Sequence, residues 1–525
     1  MGEAEGSREH WSELVARSLE GRGGSHVIET GTSISGIPHI GNASDVIRGD
    51  AVRKSLSRSG LEARLVWVAD DSDPLRKAPR GMEWLSAHLG KPVYDIPDLP
   101  ECGGHKNFVD HFVSSFLEEL EAFGVRPEHY SGRELYRSGK FYPLIKVALE
   151  SSEEIVDILN KFREFPLPKS YLPWTPICKK CHRISTTHAK NWDGGDIVKY
   201  SCTAVSPSTQ SEELKDVVGC GHKGESNIRT GEGKLPWRVE WAARWKLFSV
   251  TCEPFGKEHA TVGGSYDTSR LISEKIFNWP TPVPVVYEFF TLNGQKISSS
   301  AGNVITLDEW LRIGEAEVLK FFMYKRIEKQ RDIDLSKIPN MTDEYDGAEF
   351  EYFSGGGDSK LKLMYELSQV SRPERLSVPF TLCAVLAQVI PDTNMQLIQR
   401  KVDLMGYADY SAERLERRVL VARKWVERYG PDHLRFKLLD ENAPVNVTGA
   451  EGKALSMIAS ELGKSWRDED FHKRIYDIAR ASNLKPPELF KAIYTTLIGR
   501  ERGPKAASFI LALDEAYVKA RFAKN

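Results

Sequence analysis

Val27–Asp45 reads VIETGTSISGIPHIGNASD: an apolar pair, Glu29-Thr30-Gly31, a Ser/Gly/Pro turn, then His39-Ile40-Gly41-Asn42. This spacing suggests a strand, a glycine-bearing loop and a helix start. A helix N-terminus offers free N–H groups and a positive dipole end to a phosphate. A His beside those groups can help hold a polyphosphate where charge develops. Far downstream, Thr291-Leu-Asn-Gly294-Gln-Lys296-Ile-Ser-Ser-Ser300 sets a lysine in a Gly/Ser loop. Such a lysine can close over a phosphate and neutralise transition-state charge.

Two further groups have the chemistry of metal ligands. Asp98, Cys102, His105 and His111 fall within the proline-containing loop Tyr94–Phe112, and a mix of hard and soft ligands suits zinc. The alternative there is a connection with scattered polar residues. Cys178-Lys-Lys-Cys181 is followed by Cys202 and by Cys220-Gly-His222. Two thiolates two residues apart grip one metal, and a distant pair closes the tetrahedron. Cys178, Cys181 and Cys202 are expected ligands, with Cys220 preferred to His222 as the fourth. No open-site His/Glu pattern accompanies them, so a structural zinc is expected over a catalytic one, and a redox pair is the weaker reading.

Acidic and aromatic residues suggest what else the site handles. The apolar run Ala63–Ala69 ends abruptly in Asp70-Asp71-Ser72-Asp73. An acidic cluster at a strand end can hold an ammonium group, or it can be a solvated turn. Trp237, Trp241 and Trp245 recur at i, i+4 and i+8 beside Glu240. Such a stripe is usually core, yet Trp is also the best cation–π surface for a ligand ammonium.

The elements that must position these residues follow from hydrophobic periodicity. Helices are expected over 8–22, 45–59, 112–123 and 145–164, with strands at Val27, at Ala63–Ala69 and at Val283–Phe290. Strand, loop, helix, strand and acidic loop begin a doubly wound parallel sheet, an α/β fold whose ligands gather at the carboxyl ends of strands. Composition changes at Pro166, where the cysteine module begins, and the reading turns helical beyond about 305. The expected divisions are 1–165 and 235–305 as the halves of a Rossmann-like domain, 166–234 as an insertion, then 306–345 and 346–525.

The whole chain sets limits. At 525 residues it exceeds one ordinary domain. A net charge of −2 argues against indiscriminate nucleic-acid binding and leaves only local basic patches to consider. Arg414, Arg417, Arg418 and Lys424, then Lys464, Arg467, Lys473, Arg474 and Arg480, recur in the helical tail. Each reads first as a solvated face, and their clustering makes RNA a plausible partner. Seven cysteines do not make a disulfide scaffold, so a reducing cytoplasm is expected. No apolar run is long enough to span a bilayer, and MGEAEGSREH lacks a secretory core.

Val27–Asp45 and Lys296–Ser300 together resemble the two signature motifs of class I aminoacyl-tRNA synthetases. The first is His-Ile-Gly-His, with Asn42 in place of the second His. The second is Lys-Met-Ser-Lys-Ser, here Lys296-Ile297-Ser298-Ser299-Ser300. His10-Trp11, ETG…SGIPHIGN, DDSDPLRK, the Asp/Cys/His/His loop, PWRVEWAARW and EPFGKEHA bring the chain closer to the class I lysyl-tRNA synthetases of archaea and some bacteria. The resemblance runs in detail from about residue 10 to 325.

It implies a Rossmann-like catalytic domain, a zinc-bearing connective insertion, a stem-contact region and an all-helical anticodon-binding cage. It implies activation of L-lysine with ATP and Mg2+ to lysyl-adenylate, then transfer to tRNA(Lys). Carried over by residue, Pro38, His39, Gly41 and Asn42 would bind ATP, and Lys296, Ser298, Ser299 and Ser300 would clamp pyrophosphate. Gly31 and Ser33 would line the amino-acid pocket, with Trp237, His259 and Tyr287 as walls. Asp70 would take the α-ammonium, and Glu240 with Asp70–Asp73 favours a cationic substrate over glutamate. Two departures stand out: Asn42 offers a neutral contact where a His is usual, and Ser299 removes one positive charge from the clamp. Ser33 also stands where a Thr is usual. The implied chemistry is an in-line attack by the lysine carboxylate on the α-phosphate, so no nucleophilic side chain is expected.

Overall fold

The computed structural model describes residues 9–206, 212–297, 303–391 and 394–523. It divides into two compact units, Met1–Leu307 with Met323–Ile333, and Asp308–Phe322 with Asp334–Asn525.

The first unit opens with α1 (Trp11–Glu20), β1 (His26–Thr32), α2 (Ile40–Arg58) and β2 (Ala63–Ala69). After α3 (Phe108–Ala122) come β3 (Glu128–Ser131), α4 (Gly132–Arg137), α5 (Tyr142–Glu150) and α6 (Ser152–Asn160). An insertion supplies β4 (Thr175–Pro176), β5 (Thr187–Trp192), β6 (Ile197–Cys202), β7 (Lys223–Asn227) and β8 (Gly233–Lys234). The chain returns as α7 (Trp237–Phe248), β9 (Cys252–Gly256), α8 (Ser265–Lys275) and β10 (Val283–Tyr287). Three short strands complete the unit: β11 (Phe290–Leu292), β12 (Gln295–Lys296) and β13 (Arg331–Ile333).

The main sheet runs β10-β9-β1-β2-β3, and every pairing in it is parallel. Counted among its own five strands this is the order 3-2-1-4-5, the doubly wound arrangement whose direction reverses beside the first strand. β1 is the central strand and is buried along nearly its whole length, as a parallel strand covered on both faces must be. It pairs with β2 from His26 to Thr32, but with β9 only at Ile28 and Cys252. The carboxyl ends of β1 and β9 are therefore not laced together, and a crevice opens there. α2 packs tightly against this sheet because Gly49 has no side chain; a Cβ there would lie 2.8 Å from Leu65 Cδ1.

Three expectations are refined. The helix expected over 145–164 is two helices, α5 and α6, meeting at Ser151. The expected helix at 45–59 begins earlier, at Ile40. The apolar run Val283–Phe290 is split between two sheets, because Glu288 N–H donates to Ile327 O at 2.7 Å instead of continuing the ladder. β11 then turns into β12 through Asn293 and Gly294, with φ of 50° and 77°. Positive φ at both positions is the signature of a two-residue hairpin turn, and Asn-Gly adopts it most readily.

In the insertion, β5, β6 and β7 form an antiparallel meander, and β4 pairs with β8 to bring its two ends together.

The second unit is helical, with no strand among its described residues. Its longest helix, Ala412–Tyr429, buries Leu415, Val419, Trp425 and Val426 as its periodicity predicts. Arg414 and Arg418 depart from the solvated-face expectation: they are buried with the apolar stripe. Arg418 forks onto both oxygens of Asp346 at 2.7 Å each and donates to Glu315 at 2.7 Å, while Arg414 bonds Glu349. Buried charges need such partners, and here they form one network. Lys464 and Arg474 stay solvent-accessible, as expected, and pair with Glu461. Among the described residues no helix is long and apolar enough to cross a membrane.

Candidate active site and metal centres

The start of α2 is closed by its own side chains. His39 Nδ1 accepts from Gly41 N–H at 3.0 Å, and Asn42 Oδ1 accepts from His39 N–H at 3.0 Å. This reciprocal box satisfies donors that a bare helix end would leave open. Ile40 N–H is also taken, by Ile305 O at 3.0 Å. The free backbone donors expected from the sequence are thus largely used. What remains for an anion is His39 Nε2–H, the Asn42 amide NH2 and the helix dipole. Burial pushes the His39 ring down to about 4, so it donates as a neutral imidazole.

Two joined cavities occupy the crevice. One, of about 350 Å3, is lined by Gly31 near the end of β1, Ser33 just after it, Asn42 and Asp45 of α2, and Trp237 and Trp241 of α7. Glu253, Phe255, His259 and Tyr287 complete its wall. The other, of about 400 Å3, is lined by His39, Ser44, Glu288, Phe289, Lys296 and Ile297. Gly41, Gly256, Glu258 and Tyr287 border both. The β11–β12 hairpin carries Lys296 to the second cavity, with Nζ 5.8 Å from the Phe289 ring. Ser298, Ser299 and Ser300 lie outside the described residues.

The first cavity has an aromatic wall and a buried ionic floor. Trp237 and Trp241 stack at 5.2 Å, and His259 stands edge-on to Trp241 at 5.5 Å. Trp241 Nε1 donates to Glu253 at 2.6 Å, and Trp245 donates to its other oxygen. Beneath Gly31 lies Arg244, fully buried, bonded to Glu29 at 2.6 Å and to Asp70. A Cβ at residue 31 would stand 2.6 Å from Arg244 Nη2, so only glycine lets the guanidinium come this close. Lys234, from β8, bridges Asp73 and Glu240, the latter at 2.8 Å. Burial pushes the carboxyls of Glu29, Asp70, Glu240 and Glu253 upward, while Lys234 holds Asp73 down against its own burial. Acids outnumber bases here, which leaves room for a cationic ligand.

Gly31, Ser33, Trp237, His259 and Tyr287 stand together on the first cavity. Asp70 and Glu240 do not line it; they lie one layer behind, held by Arg244 and Lys234. Pro38 lines neither cavity. Sequence reasoning missed Glu29, Arg244, Lys234 and Asp45. The i, i+4 spacing of Glu240 and Arg244 was an available signal for part of this network.

Both cysteine–histidine groups assemble. Cys178, Cys181, Cys202 and Cys220 have all Sγ atoms within 4.8 Å of one another, at 3.6 Å for Cys178–Cys220 and 3.7 Å for Cys181–Cys202. Four sulfurs about 2.3 Å from one tetrahedral zinc stand about 3.8 Å apart, so this donor set fits. His222 is outside the group and packs its ring 6.1 Å from Tyr200. Asp98, Cys102, His105 and His111 form the second group, with His105 and His111 Nδ1 atoms 3.1 Å apart and His111 Nδ1 3.2 Å from Asp98. Nitrogens and oxygens this close also fit one small cation.

A doubly wound sheet, a capped helix at its switch point and a lysine hairpin across two joined cavities define a nucleotide-binding α/β enzyme. A family model described as tRNA synthetases class I (K) matches residues 9–371. A lysine–tRNA ligase of Methanosphaera stadtmanae is 38% identical, covering 98% of this chain and 99% of its own. One of Pyrococcus horikoshii is 34% identical, covering 98% and 99%. A crystal structure of a glutamate tRNA ligase from Elizabethkingia meningosepticum covers 95% of this chain and 98% of its own, with 11% identity and a TM-score of 0.38. The chain belongs to the class I (K) tRNA synthetases.

Proposed function

We propose that the chain activates L-lysine with ATP, as its magnesium complex, and transfers it to tRNA(Lys), as a lysine–tRNA ligase. The observation that carries this reading is the aromatic cavity with its surplus of buried acids, joined directly to the cavity that holds Lys296. A glutamate substrate would need a free cation in the wall. Arg244, the guanidinium lining this cavity, has its charge balanced by Glu29 and Asp70 through Nε and Nη1, although its Nη2 carries no hydrogen bond.

Lysine lies in the first cavity with Gly31 and Ser33 at its α-end and Trp237, His259 and Tyr287 along its side chain. ATP lies in the second, its base by Phe289 and its phosphates at His39, Gly41 and Asn42. The lysine carboxylate then attacks the α-phosphate in line. His39 Nε2–H and the Asn42 amide meet the phosphate oxygens as neutral donors, so Lys296 supplies the positive charge as pyrophosphate leaves, helped by Ser298, Ser299 and Ser300. Asp70 bonds Arg244 through one oxygen and turns the other toward Gly31, where an α-ammonium would sit. Residues 306–345 serve the stem of tRNA(Lys), and the helical stretch 346–525 serves its anticodon. A reducing cytoplasm suits the free thiols. Pyrophosphate exchange into ATP tests the reading: lysine should stimulate it.

Zinc is held by Cys178, Cys181, Cys202 and Cys220, and by Asp98, Cys102, His105 and His111. These sites bind the insertion and the loop before α3 into fixed shapes and take no part in the chemistry. Metal analysis should find two zinc ions per chain, one for each group. Cys178→Ser should remove one and His105→Ala the other, each with a lower unfolding temperature. A purified chain free of metal would contradict both sites.

A further inference from the structure

Asp45 stands on α2, one turn beyond Asn42, and lines the first cavity with Gly31, Trp237, Trp241 and Tyr287. Its Oδ1 is sealed from solvent and accepts no hydrogen bond. Glu29 and Glu240 also have one oxygen each without a hydrogen bond, but the neighbouring acids differ in facing a resident cation or donor. Glu29 and Asp70 have Arg244, Glu240 has Lys234, and Glu253 has two indoles. Besides the backbone N–H groups of Asp45 and Val46, which hydrogen-bond its carboxylate, the groups facing Asp45 are Arg48 of its own helix, Glu258 after β9, and Tyr287 of β10. Arg48 is turned away, onto Ser44 O at 3.1 Å and over the Tyr287 ring at 4.2 Å. Glu258 adds a like charge. A buried carboxylate oxygen without a partner is costly, and a ligand cation would complete it.

Resting on the lysine-activating reading, we propose that Asp45 receives the side-chain ammonium of the amino-acid substrate. The reacting carboxylate must sit at the start of α2, beside Asn42. Asp45 is three residues further along, about 4.5 Å at 1.5 Å per residue. A lysine side chain is longer than that rise, so a carboxylate lying beyond the helix start still lets the ammonium reach Asp45, with the methylenes passing between Trp237, Trp241 and Tyr287. The α-ammonium stays near Gly31, toward the second oxygen of Asp70. Burial pushes the Asp45 carboxyl up to about 8 in the free protein, with Glu258 adding to the shift. It therefore holds its proton at neutral pH, and an entering ammonium must expel it. Lysine affinity then rises with pH up to about 8 and levels off above, with one proton released.

Titration by intrinsic tryptophan fluorescence, with lysine and with norleucine, tests this. Norleucine is lysine with the ammonium replaced by hydrogen. Asp45→Asn should weaken lysine about 100-fold, leave norleucine within about threefold, and flatten the pH dependence of lysine binding. An unchanged KM for ATP in the variant would show the site still folded. Equal losses for lysine and norleucine, or an unchanged lysine Kd, would overturn the assignment. Failure of lysine to stimulate exchange in the unmodified chain would overturn the lysine reading itself, and this assignment with it.

Discussion

Lys296→Ala will lower lysine-dependent pyrophosphate exchange by about 10²–10³-fold while leaving the fold unchanged. The side chain is exposed on a two-residue strand, so the sheet loses no buried contact when it is shortened. The chemistry loses much more. His39 is neutral at pH 7 and Asn42 replaces a basic residue, so the cavity has few other ways to neutralise departing pyrophosphate. The hairpin holds its lysine by geometry: Asn293 and Gly294 set the turn, and Thr291 pairs with Lys296 across it. Exchange measured at saturating lysine and ATP, beside the thermal midpoint, separates the two effects. Full exchange in the variant would remove the hairpin from the phosphate step.

Arg244→Met will destabilise the first unit by about 3–5 kcal/mol, because it strips the partner from buried acids without replacing their solvation. Glu29 and Asp70 bond the guanidinium directly, and Glu240 stands 4.0 Å from it. Burial already pushes these carboxyls above their usual range, and losing Arg244 pushes them further. The folded variant therefore binds protons that its unfolded chain releases at neutral pH. Its deficit will be smallest near pH 5 and will grow as pH rises through the raised values. Urea midpoints for variant and parent at about pH 5 and about pH 8 check both size and sign. A deficit that shrinks with rising pH would contradict the charge account.

How much of this could be read from the sequence depended on how far apart the cooperating residues lie. The strand–loop–helix of Val27–Asp45, the Lys296 hairpin and the four thiols are local patterns, and local chemistry explains them. The Arg244–Glu29 contact joins residues 215 apart, across two elements that say nothing of each other. Asp70 was legible as acidic and near the site, but not as the partner of a buried arginine. Asp45 was hidden inside a helix pattern, where an acid normally reads as solvated. Arg414 and Arg418 misled for a related reason: periodicity marks a buried stripe but cannot reveal that Glu315, Asp346 and Glu349 wait behind it. The run Val283–Phe290 looked like one strand because its break is a single backbone bond to Ile327.

The measurement that bears most directly on the central claim is ATP–pyrophosphate exchange with the purified chain, run separately with each of the protein amino acids. The cavity of Gly31, Trp237, His259 and Tyr287, with its surplus of buried acids, predicts stimulation by lysine and by no other amino acid. Stimulation by glutamate or arginine in place of lysine, or by none at all, would contradict it.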